Sequence, residues 1–258
     1  MIESHLLFLF INLMGLPMND IDLSIVVPAY NEAKRLPKTL QIVKEYLTST
    51  KLTYEILVVD DGSSDNTSEI ARSLNIEGLK VLTYKSNRGK GYAVNYGVTR
   101  AKGKSIIFAD ADNSTPFKQI DKLLREIEEY PIAIGSRYLS GSKIRLKQPL
   151  SRRIAARLGN LLIRVILLPR ILDTQCGFKM FQAEVAKEIF ARQTIWRWGF
   201  DIEILYIAKK LGCAVKEVPV EWYNDTATKI QSPLVFLSTL SELFRIKLNS
   251  LQGKYRRN

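Results

Sequence analysis

The 258-residue sequence is poor in the residues that build disulfide frameworks and zinc sites, with two cysteines (Cys176 and Cys213) and one histidine (His5). Two cysteines and one histidine can neither form the disulfide framework of a small protein nor provide the four ligands of a structural zinc site. We therefore interpret both cysteines as structural thiols of a reducing compartment. Because His5 lies beside an apolar N-terminal stretch, we do not consider it a catalytic residue.

Long apolar runs are also missing. A membrane-spanning helix needs about 18 to 20 predominantly apolar residues, and the nearest approach, residues 6–16, is eleven residues long. This stretch has neither a positively charged region before it nor a small-residue cleavage site after it, so it does not resemble a secretory signal. We expect residues 1–19 to form a short apolar leader, and membrane attachment to be peripheral or weakly anchored.

The remaining composition is that of an ordinary globular protein, with 46% hydrophobic and 25% charged residues, which excludes a disordered or collagen-like chain. The net charge of +12 is unevenly distributed. Residues 1–130 carry 16 Lys and Arg against 17 Asp and Glu, whereas residues 131–258 carry 22 against 9. The second half is therefore expected to meet an anionic partner: a membrane surface, a phosphorylated substrate or a nucleic acid.

The first half of the chain alternates between apolar strand-like runs and helical segments. The predicted strands cover residues 23–30, 54–61, 79–84 and 105–112, and the predicted helices cover residues 36–47, a segment starting near 65, residues 91–99 and residues 117–129. Near-continuous apolar strands separated by helices are typical of a parallel sheet covered on both faces. The sequence therefore predicts an α/β fold, in which ligands bind beyond the carboxyl ends of the strands.

Polar clusters follow three of these strands, and the carboxyl ends of parallel strands meet at one edge. The clusters are Asn31 with Glu32, Asp60 with Asp61, and Asp110 with Asp112. Two carboxylates spaced like Asp110 and Asp112 can hold one Mg²⁺ or Mn²⁺, which takes one or two carboxylates plus substrate phosphates. A solvated turn or a helix N-cap explains each aspartate cluster as well. The doubled aspartate is harder to explain in that way, because two charges at a buried strand end need a ligand, a cation or many donors.

A glycine-rich segment, residues 87–91 (NRGKG), precedes a predicted helix. Its glycines permit close backbone approach, and the helix N-terminus with Arg88 and Lys90 suits a diphosphate. The segment is not a dinucleotide-binding fingerprint, because Val94 stands three residues after Gly91, and the chain has no Walker A pattern. Hydride transfer and P-loop phosphoryl transfer are therefore disfavoured.

Together these motifs resemble a known family. The segments 27–32 (VPAYNE), 58–65 (VVDDGSSD), 87–91 (NRGKG) and 110–112 (DAD) resemble those of the inverting family 2 glycosyltransferases. The segments 135–138 (GSRY), 173–179 (DTQCGFK) and 198–205 (WGFDIEIL) are similar, more narrowly, to those of the dolichyl-phosphate β-glucosyltransferases. The resemblance spans residues 22–223. It implies the GT-A fold, a Rossmann-like, mixed and mostly parallel sheet with helices on both faces.

The resemblance also implies roles for individual residues. Those expected to hold the nucleotide base and ribose are Pro28, Ala29, Tyr30, Glu32, Asp60 and Asp61. Asp110 and Asp112 would hold Mg²⁺ or Mn²⁺ at the diphosphate, Asp112 being the more direct ligand, and Arg137 and Lys179 would face the reacting phosphates.

The family's late acidic position falls on Asp201 and Glu203. Residues two apart on a helix do not share a face. We therefore expect at most one of the two acids to point into the site, and the other to be a cap or surface residue.

The implied reaction is inverting transfer of glucose from UDP-glucose to dolichyl phosphate or another polyprenyl phosphate at the cytoplasmic membrane face. A phosphate monoester is already largely dianionic at neutral pH, so it needs cations rather than a general base. The basic, histidine-poor second half suits such an acceptor. Two alternatives stay open: a GDP-mannose-dependent polyprenyl-phosphate mannosyltransferase, and a family 2 enzyme with a sugar hydroxyl acceptor, in which Asp201 or Glu203 acts as base.

Two segments of the second half are basic and amphipathic. In residues 151–168, apolar side chains recur at helical spacing beside Arg153, Arg157 and Arg164, and residues 234–248 repeat the pattern. A helix lying on an anionic bilayer and a core helix whose arginines reach solvent explain one segment equally well. Two segments favour the membrane. We expect a leader at 1–19, a glycosyltransferase domain at 20–225 with the basic amphipathic segment 143–170, and a basic amphipathic tail at 226–258.

Two other classes of protein are a nucleic-acid-binding protein and a nucleotide-sugar sensor. Nucleic-acid binding is disfavoured, because the basic residues alternate with aliphatic ones rather than with exposed aromatics or a reading motif. A nucleotide-sugar sensor without turnover would show binding but no transfer. The expected partners are therefore a nucleotide-sugar donor, a polyprenyl-phosphate acceptor and a membrane surface, with no nucleic acid.

Overall fold

In the computed structural model, residues 21–145, 150–223 and 233–256 are described, so the leader expected at residues 1–19 lies outside them. The strands of this part of the chain are β1 (Leu23–Ala29), β2 (Tyr54–Asp60), β3 (Leu79–Thr83), β4 (Ser105–Ala109), β5 (Ile132–Ser136), β6 (Lys143–Ile144), β7 (Phe178–Gln182), β8 (Val215–Pro219) and β9 (Glu221–Trp222). The helices are α1 (Leu36–Thr48), α2 (Thr67–Ser73), α3 (Lys90–Val98), α4 (Ile120–Glu126), α5 (Leu150–Ile166), α6 (Ala183–Phe190), α7 (Phe200–Lys210) and α8 (Pro233–Leu251).

Seven strands form one sheet in the order β3-β2-β1-β4-β7-β5-β8. Strand β7 runs antiparallel to β4 and to β5, and every other neighbouring pair in this sheet is parallel. The expectation of a mixed, mostly parallel sheet is therefore confirmed. Strands β6 and β9 pair in parallel with each other, outside the main sheet.

The sheet is covered on both faces because its central strands are apolar on both sides. All seven residues of β1 are buried. Ile25 and Val27 join a core with Leu40 of α1, whereas Val26 joins the core on the opposite face with Ala93 of α3. Alternate residues of a strand point to opposite faces, so one continuous apolar run supplies both layers.

The chain reverses its direction of travel across the sheet at β1. After β1 it proceeds to β2 and β3 on one side, and it then crosses to β4 on the other side. Such a switch point leaves a crevice beyond the carboxyl ends of the strands, because the connections on either side lead away from it. The three polar clusters identified in the sequence follow β1, β2 and β4, the adjacent strands that meet at this crevice.

The described side chains of α5 (residues 157–166) and α8 (residues 241–251) are only partly buried. From α5, Ile163 enters the core. From α8, Leu243 and Ile246 do so. Among residues 21–145, 150–223 and 233–256, no helix combines the length and the apolar content that a bilayer span requires. Leu243 and Ile246, within the amphipathic tail expected at residues 226–258, thus pack on the same core as the sheet.

Candidate active site

A pocket of about 340 Å³ lies at the carboxyl ends of β1, β2 and β4. Eight residues expected from the sequence line it: Pro28, Ala29, Tyr30, Glu32, Asp61, Lys90, Asp110 and Asp112. The structure thus brings the clusters following all three strands into one cavity. A pocket at the switch point with several convergent carboxylates is the arrangement in which α/β proteins bind nucleotide ligands.

Asp61 organises the loop that forms one wall of this pocket. Its carboxylate accepts hydrogen bonds from the backbone N–H of Arg88 at 2.7 Å and of Gly89 at 2.9 Å, and from Asn87 Nδ2 at 2.8 Å. The Tyr84 hydroxyl donates a fourth at 2.8 Å. A buried charge with four donors is well compensated. Asp61 therefore fixes the shape of the glycine-rich segment.

The other residues expected around the nucleotide have different surroundings. Asp60 does not line the pocket; it is buried and its Oδ1 accepts a hydrogen bond from the Ser63 N–H at 2.9 Å. Glu32 binds Arg35 through two nitrogens, at 2.7 and 2.6 Å. Tyr30 is 39% exposed at the pocket rim, so its ring is accessible to a ligand.

The side chain of Arg88 lies away from the pocket. Its guanidinium stacks over the Tyr92 ring, 3.6 Å from the centroid, and also binds the Tyr92 hydroxyl. The backbone N–H of Arg88 binds Asp61 and so helps to fix the loop. Of the two cations in the glycine-rich segment, Lys90 is the one that reaches the cavity.

Asp110 and Asp112 follow β4 and both line the pocket. Oδ1 of Asp112 accepts a hydrogen bond from the Ser114 N–H at 2.9 Å. Burial, and next the negative charge of Asp110, raise the pKa of Asp112. The two carboxylates therefore repel each other within a site of restricted solvation, and a cation placed between them would relieve that repulsion.

Lys90 supplies positive charge to these carboxylates. Its Nζ lies 2.6 Å from Oδ1 of Asp110. Burial alone would lower the pKa of Lys90, but the charges of Asp110, Asp201 and Asp112 raise it above the usual range. The ammonium form is therefore strongly favoured. Three aspartates from β4 and α7 thus face one lysine at the start of α3.

Asp201 lies beneath this cluster rather than on the pocket wall. Its carboxylate binds Nζ of Lys179, whose side chain has no exposed surface. Lys179 Nζ also donates to the carbonyl oxygen of Cys176 at 2.6 Å and lies 5.3 Å from the centroid of the Phe108 ring. Lys179 and Asp201 therefore form a buried ion pair, and Lys179 does not line the cavity.

Glu203 belongs to a different buried network. It accepts hydrogen bonds from the N–H groups of Thr194 and Ile195 and from the hydroxyl of Tyr255, the last at 2.6 Å. The expectation that at most one of the two acids points toward the site agrees with this arrangement. The expectation that the other acid is a cap or surface residue is wrong, because Glu203 is completely buried. It ties the C-terminal turn to the loop before α7.

Arg137 forms an ion pair with the buried Asp173, while 20% of its own side chain is exposed. Its Nε and Nη2 bind the carboxylate of Asp173 at 2.7 and 2.8 Å. Although burial opposes ionisation of Asp173, the charge of Arg137 keeps the pKa of this carboxyl below its usual range. The guanidinium also lies 5.5 Å from the centroid of the Trp222 ring. The neighbouring thiol of Cys176 is neutral, since burial raises its pKa to about 11.

Some lining residues were not identified as site residues from the sequence. Arg197 and Trp198, in the loop before α7, contribute a cation and an indole to the pocket, and Arg35 and Asn87 contribute polar atoms. Trp198 begins the segment 198–205 that carried the family resemblance, and this was the available signal. For Arg35 the signal was its position three residues after Glu32, the spacing of an ion pair on a helical turn.

Comparison with known protein families shows the general class to which this chain belongs. The profile of the family described as "Glycosyl transferase family 2" matches residues 24–190, which is more than half of the chain. The chain belongs to this family, and the expectation of a family 2 glycosyltransferase is confirmed.

The similarity extends to a narrower group. The chain is 36% identical to a dolichyl-phosphate beta-glucosyltransferase of Dictyostelium discoideum, over 92% of this chain and 77% of that protein. It is 35% identical to the enzyme of the same name from Homo sapiens, over 91% of this chain and 77% of that protein. The resemblance found in the motifs thus holds over most of the sequence.

Solved structures support the fold. Mannosyl-3-phosphoglycerate synthase from Rubrobacter xylanophilus superposes with a TM-score of 0.68 at 18% identity, covering 95% of this chain and 76% of that one. Glucosyl-3-phosphoglycerate synthase from Mycobacterium tuberculosis, in complex with Mn²⁺, UDP and glucosyl-3-phosphoglycerate, gives a TM-score of 0.61 at 19% identity, covering 92% and 81%. At this level of identity the comparison defines the fold and no more.

Proposed function

We propose that this glycosyltransferase moves glucose from UDP-glucose to dolichyl phosphate, or to another polyprenyl phosphate, with inversion at the anomeric carbon. The observation that carries the proposal is the pocket that joins Asp61, Lys90, Asp110 and Asp112 at the switch point of the sheet. The relatives named dolichyl-phosphate beta-glucosyltransferase support the choice of sugar and acceptor.

The nucleotide end of the donor fits the wall made by β1 and the loop fixed by Asp61. Tyr30 is 39% exposed at the pocket rim, where a base would stack on it, and Glu32 and Asp61 line the same wall. Carboxylates and a backbone close to the ligand are suited to ribose hydroxyls, which act as hydrogen-bond donors. A nucleotide bound on this wall would extend its diphosphate toward Lys90 and the two aspartates that follow β4.

The carboxylates of Asp110 and Asp112 fit a Mg²⁺ or Mn²⁺ ion, because such ions commonly bind one or two carboxylates and complete their coordination with substrate phosphates. Burial, and next the charge of Asp110, raise the pKa of Asp112, and a cation between the two carboxylates would relieve their repulsion. When bound, the ion would stabilise the charge that develops on the leaving diphosphate. The related fold of the Mycobacterium tuberculosis enzyme was solved with Mn²⁺ and UDP.

The acceptor phosphate would be oriented by arginines at the other end of the site. Nε and Nη2 of Arg137 are bound to Asp173, which fixes the guanidinium plane, and the 20% of the side chain that is exposed would meet the phosphate. The charge of Arg157 on α5 acts on Tyr138, next to Arg137, and tends to lower the pKa of that tyrosine, although burial raises it overall. Two arginines therefore approach this region from β5 and from α5.

No general base is required for such an acceptor, since a phosphate monoester attacks as the dianion. The structure is compatible with this chemistry, because Asp201 is bound to Lys179 and Glu203 is bound to donors outside the pocket. We propose that Asp201 acts on the site by its charge, through Lys90 and Lys179, and that Glu203 is structural.

The lipid chain of the acceptor would enter from a membrane on which α5 lies. Five large apolar side chains of α5 are between 40% and 73% exposed: Leu158, Leu161, Leu162, Val165 and Ile166. Arg157 and Arg164 lie on the same helix, as expected for a basic amphipathic helix on an anionic leaflet. We propose peripheral attachment at the cytoplasmic face.

Purified protein incubated with labelled UDP-glucose, Mg²⁺ or Mn²⁺ and dolichyl phosphate should yield a charged glucosyl lipid that partitions into organic solvent. GDP-mannose in place of UDP-glucose tests the alternative donor. The variant D112N keeps the volume of the side chain but removes its charge, and it should lose transfer activity. Binding of UDP-glucose without transfer to any lipid phosphate would contradict the proposal and would indicate a nucleotide-sugar sensor. Preferential transfer from GDP-mannose would show that the enzyme is a mannosyltransferase and not a glucosyltransferase.

A further inference from the structure

Lys90 stands at a position where an isolated helix does not favour a cation. It is the first residue of α3, and the positive end of the helix dipole lies at this N-terminus. The backbone before it is specialised as well: Gly89 has a φ of +101°, and a Cβ atom there would collide with the carbonyl oxygen of Trp196. The position of Lys90 at the helix N-terminus and the positive φ of Gly89 are both locally unfavourable, yet together they direct the Lys90 side chain toward the pocket.

The compensation comes from the aspartates around the ammonium group. Lys90 Nζ lies 2.6 Å from Asp110 Oδ1, and its side chain is only 18% exposed. Within the described parts of the chain, it is the one ion-pair partner of Asp110. Lys179 is paired with Asp201, whereas Lys90 supplies positive charge to both carboxylates at the end of β4.

We propose that Lys90 is a resident cation of the pocket, and that it competes with the divalent metal ion for the carboxylate of Asp110. The ammonium group and a metal ion both need the oxygens of Asp110, and two cations repel each other at short range. While Lys90 holds Asp110, the donor-free protein binds a metal ion weakly. The metal ion then binds tightly only together with the diphosphate, which can accept Lys90 as a new partner.

This inference rests on the proposed function only in taking the pocket as the donor site. It concerns the affinity of the empty pocket for a metal ion, which can be measured without a sugar donor or a lipid. The probe is therefore Mn²⁺ alone, and the readout is the electron paramagnetic resonance signal of free Mn²⁺ in a titration with protein.

The variant K90M removes the charge and keeps most of the aliphatic volume. We expect it to bind Mn²⁺ at least tenfold more tightly than the native protein. K90R keeps a positive charge beside Asp110. Its affinity for Mn²⁺ should therefore stay within about threefold of the native affinity. Adding D110N to K90M should abolish the gain, which would assign it to this carboxylate. UDP should raise the Mn²⁺ affinity of native protein more than that of K90M.

Thermal unfolding of each variant checks that the fold is kept, and K90Q serves as a second neutral substitution should K90M not fold. Mn²⁺ affinity in K90M or K90Q that equals the native value, or falls below it, would overturn the proposal. Tight Mn²⁺ binding in these variants, combined with no glucosyl transfer by native protein, would reject the proposed function and leave this inference intact.

Discussion

The backbone of Gly177 lies directly against the carboxylate of Asp110, with no room between them for a Cβ atom. A hydrogen bond from the Asp110 N–H to the Gly177 carbonyl oxygen, at 3.3 Å, joins the same two residues. Gly177 immediately precedes β7, the antiparallel strand inserted beside β4. The orientation of the proposed metal ligand is thus restricted by a glycine that immediately precedes a neighbouring strand.

Gly177→Ala should therefore displace the Asp110 side chain. A methyl group at this position overlaps both carboxylate oxygens, so the carboxylate has to move away from its present orientation and from Lys90. We expect affinity for UDP in the presence of Mn²⁺ to fall at least tenfold, as measured by titration calorimetry.

Gly212→Ala is the control for this substitution. Gly212 has a φ of +75° and open space where its Cβ would be, so alanine should cost about 1 kcal/mol of folding stability through backbone strain. Its UDP affinity should be unchanged. Equal losses of UDP affinity in both variants would show that the effect of G177A reflects general destabilisation.

The second prediction concerns the loop held by Asp61. Burial, followed by the Asp61 carboxylate, raises the pKa of Tyr84, so this phenol is a neutral donor. Tyr84→Phe removes one of the four donors to Asp61 and should cost about 1 kcal/mol of stability, with a measurable loss of UDP affinity. Tyr46→Phe is the matched control, because Tyr46 binds the exposed Asp121. UDP binding in Y84F identical to that in Y46F would contradict a role for this loop in donor binding.

The third prediction separates the structural role of Lys179 from a direct role at the phosphates. Lys179→Met should lower stability by about 3–5 kcal/mol, because it leaves Asp201 buried without its partner. The double variant K179M/D201N removes both charges and should recover most of that loss, as followed by denaturant unfolding.

Transfer activity should stay low in this double variant, because Asp201 also contributes to the field at Lys90. Full recovery of activity along with stability would show that the pair only fills the core. Loss of activity with unchanged stability in K179M alone would favour direct contact of Lys179 with a phosphate.

Much of the architecture could be predicted because its signals are local. Strands such as β1 and β2 are uninterrupted apolar runs, and the acidic clusters after them necessarily share one edge of a parallel sheet. The antiparallel strand β7 was not predicted, since its five residues lack a distinctive period and its neighbours are far apart in sequence. Pairing over such distances is decided by tertiary packing, not by local sequence.

The ion-pair and hydrogen-bond partners of the charged residues could not be predicted from the sequence either. Lys179 carries the same charge as Arg197, yet the first is enclosed with Asp201 while the second lines the pocket. Burial and ion pairing depend on which elements pack together, and a charge in a motif indicates neither. The same limit applied to Glu203, whose partners come from the loop before α7 and from the C-terminal turn.

The last prediction concerns the exposed face of α5. Leu158 and Val165 are 55% and 73% exposed, although large aliphatic side chains clustered on one helix would ordinarily be covered. Replacing both by glutamate should weaken binding to vesicles that contain anionic lipid at least tenfold, because it removes apolar contact and adds like charge. Binding is measured by vesicle co-sedimentation at several salt concentrations.

The fold should tolerate these changes, since neither side chain belongs to the core. UDP affinity, and glucosyl transfer to a short-chain polyprenyl phosphate in detergent, should therefore remain near native. Gln41→Glu, on the exposed side of α1, adds negative charge outside the α5 face and should leave vesicle binding nearly unchanged. Vesicle binding by the α5 variant that matched the native protein would show that another surface contacts the membrane. Loss of transfer in detergent would instead indicate that α5 shapes the acceptor site itself.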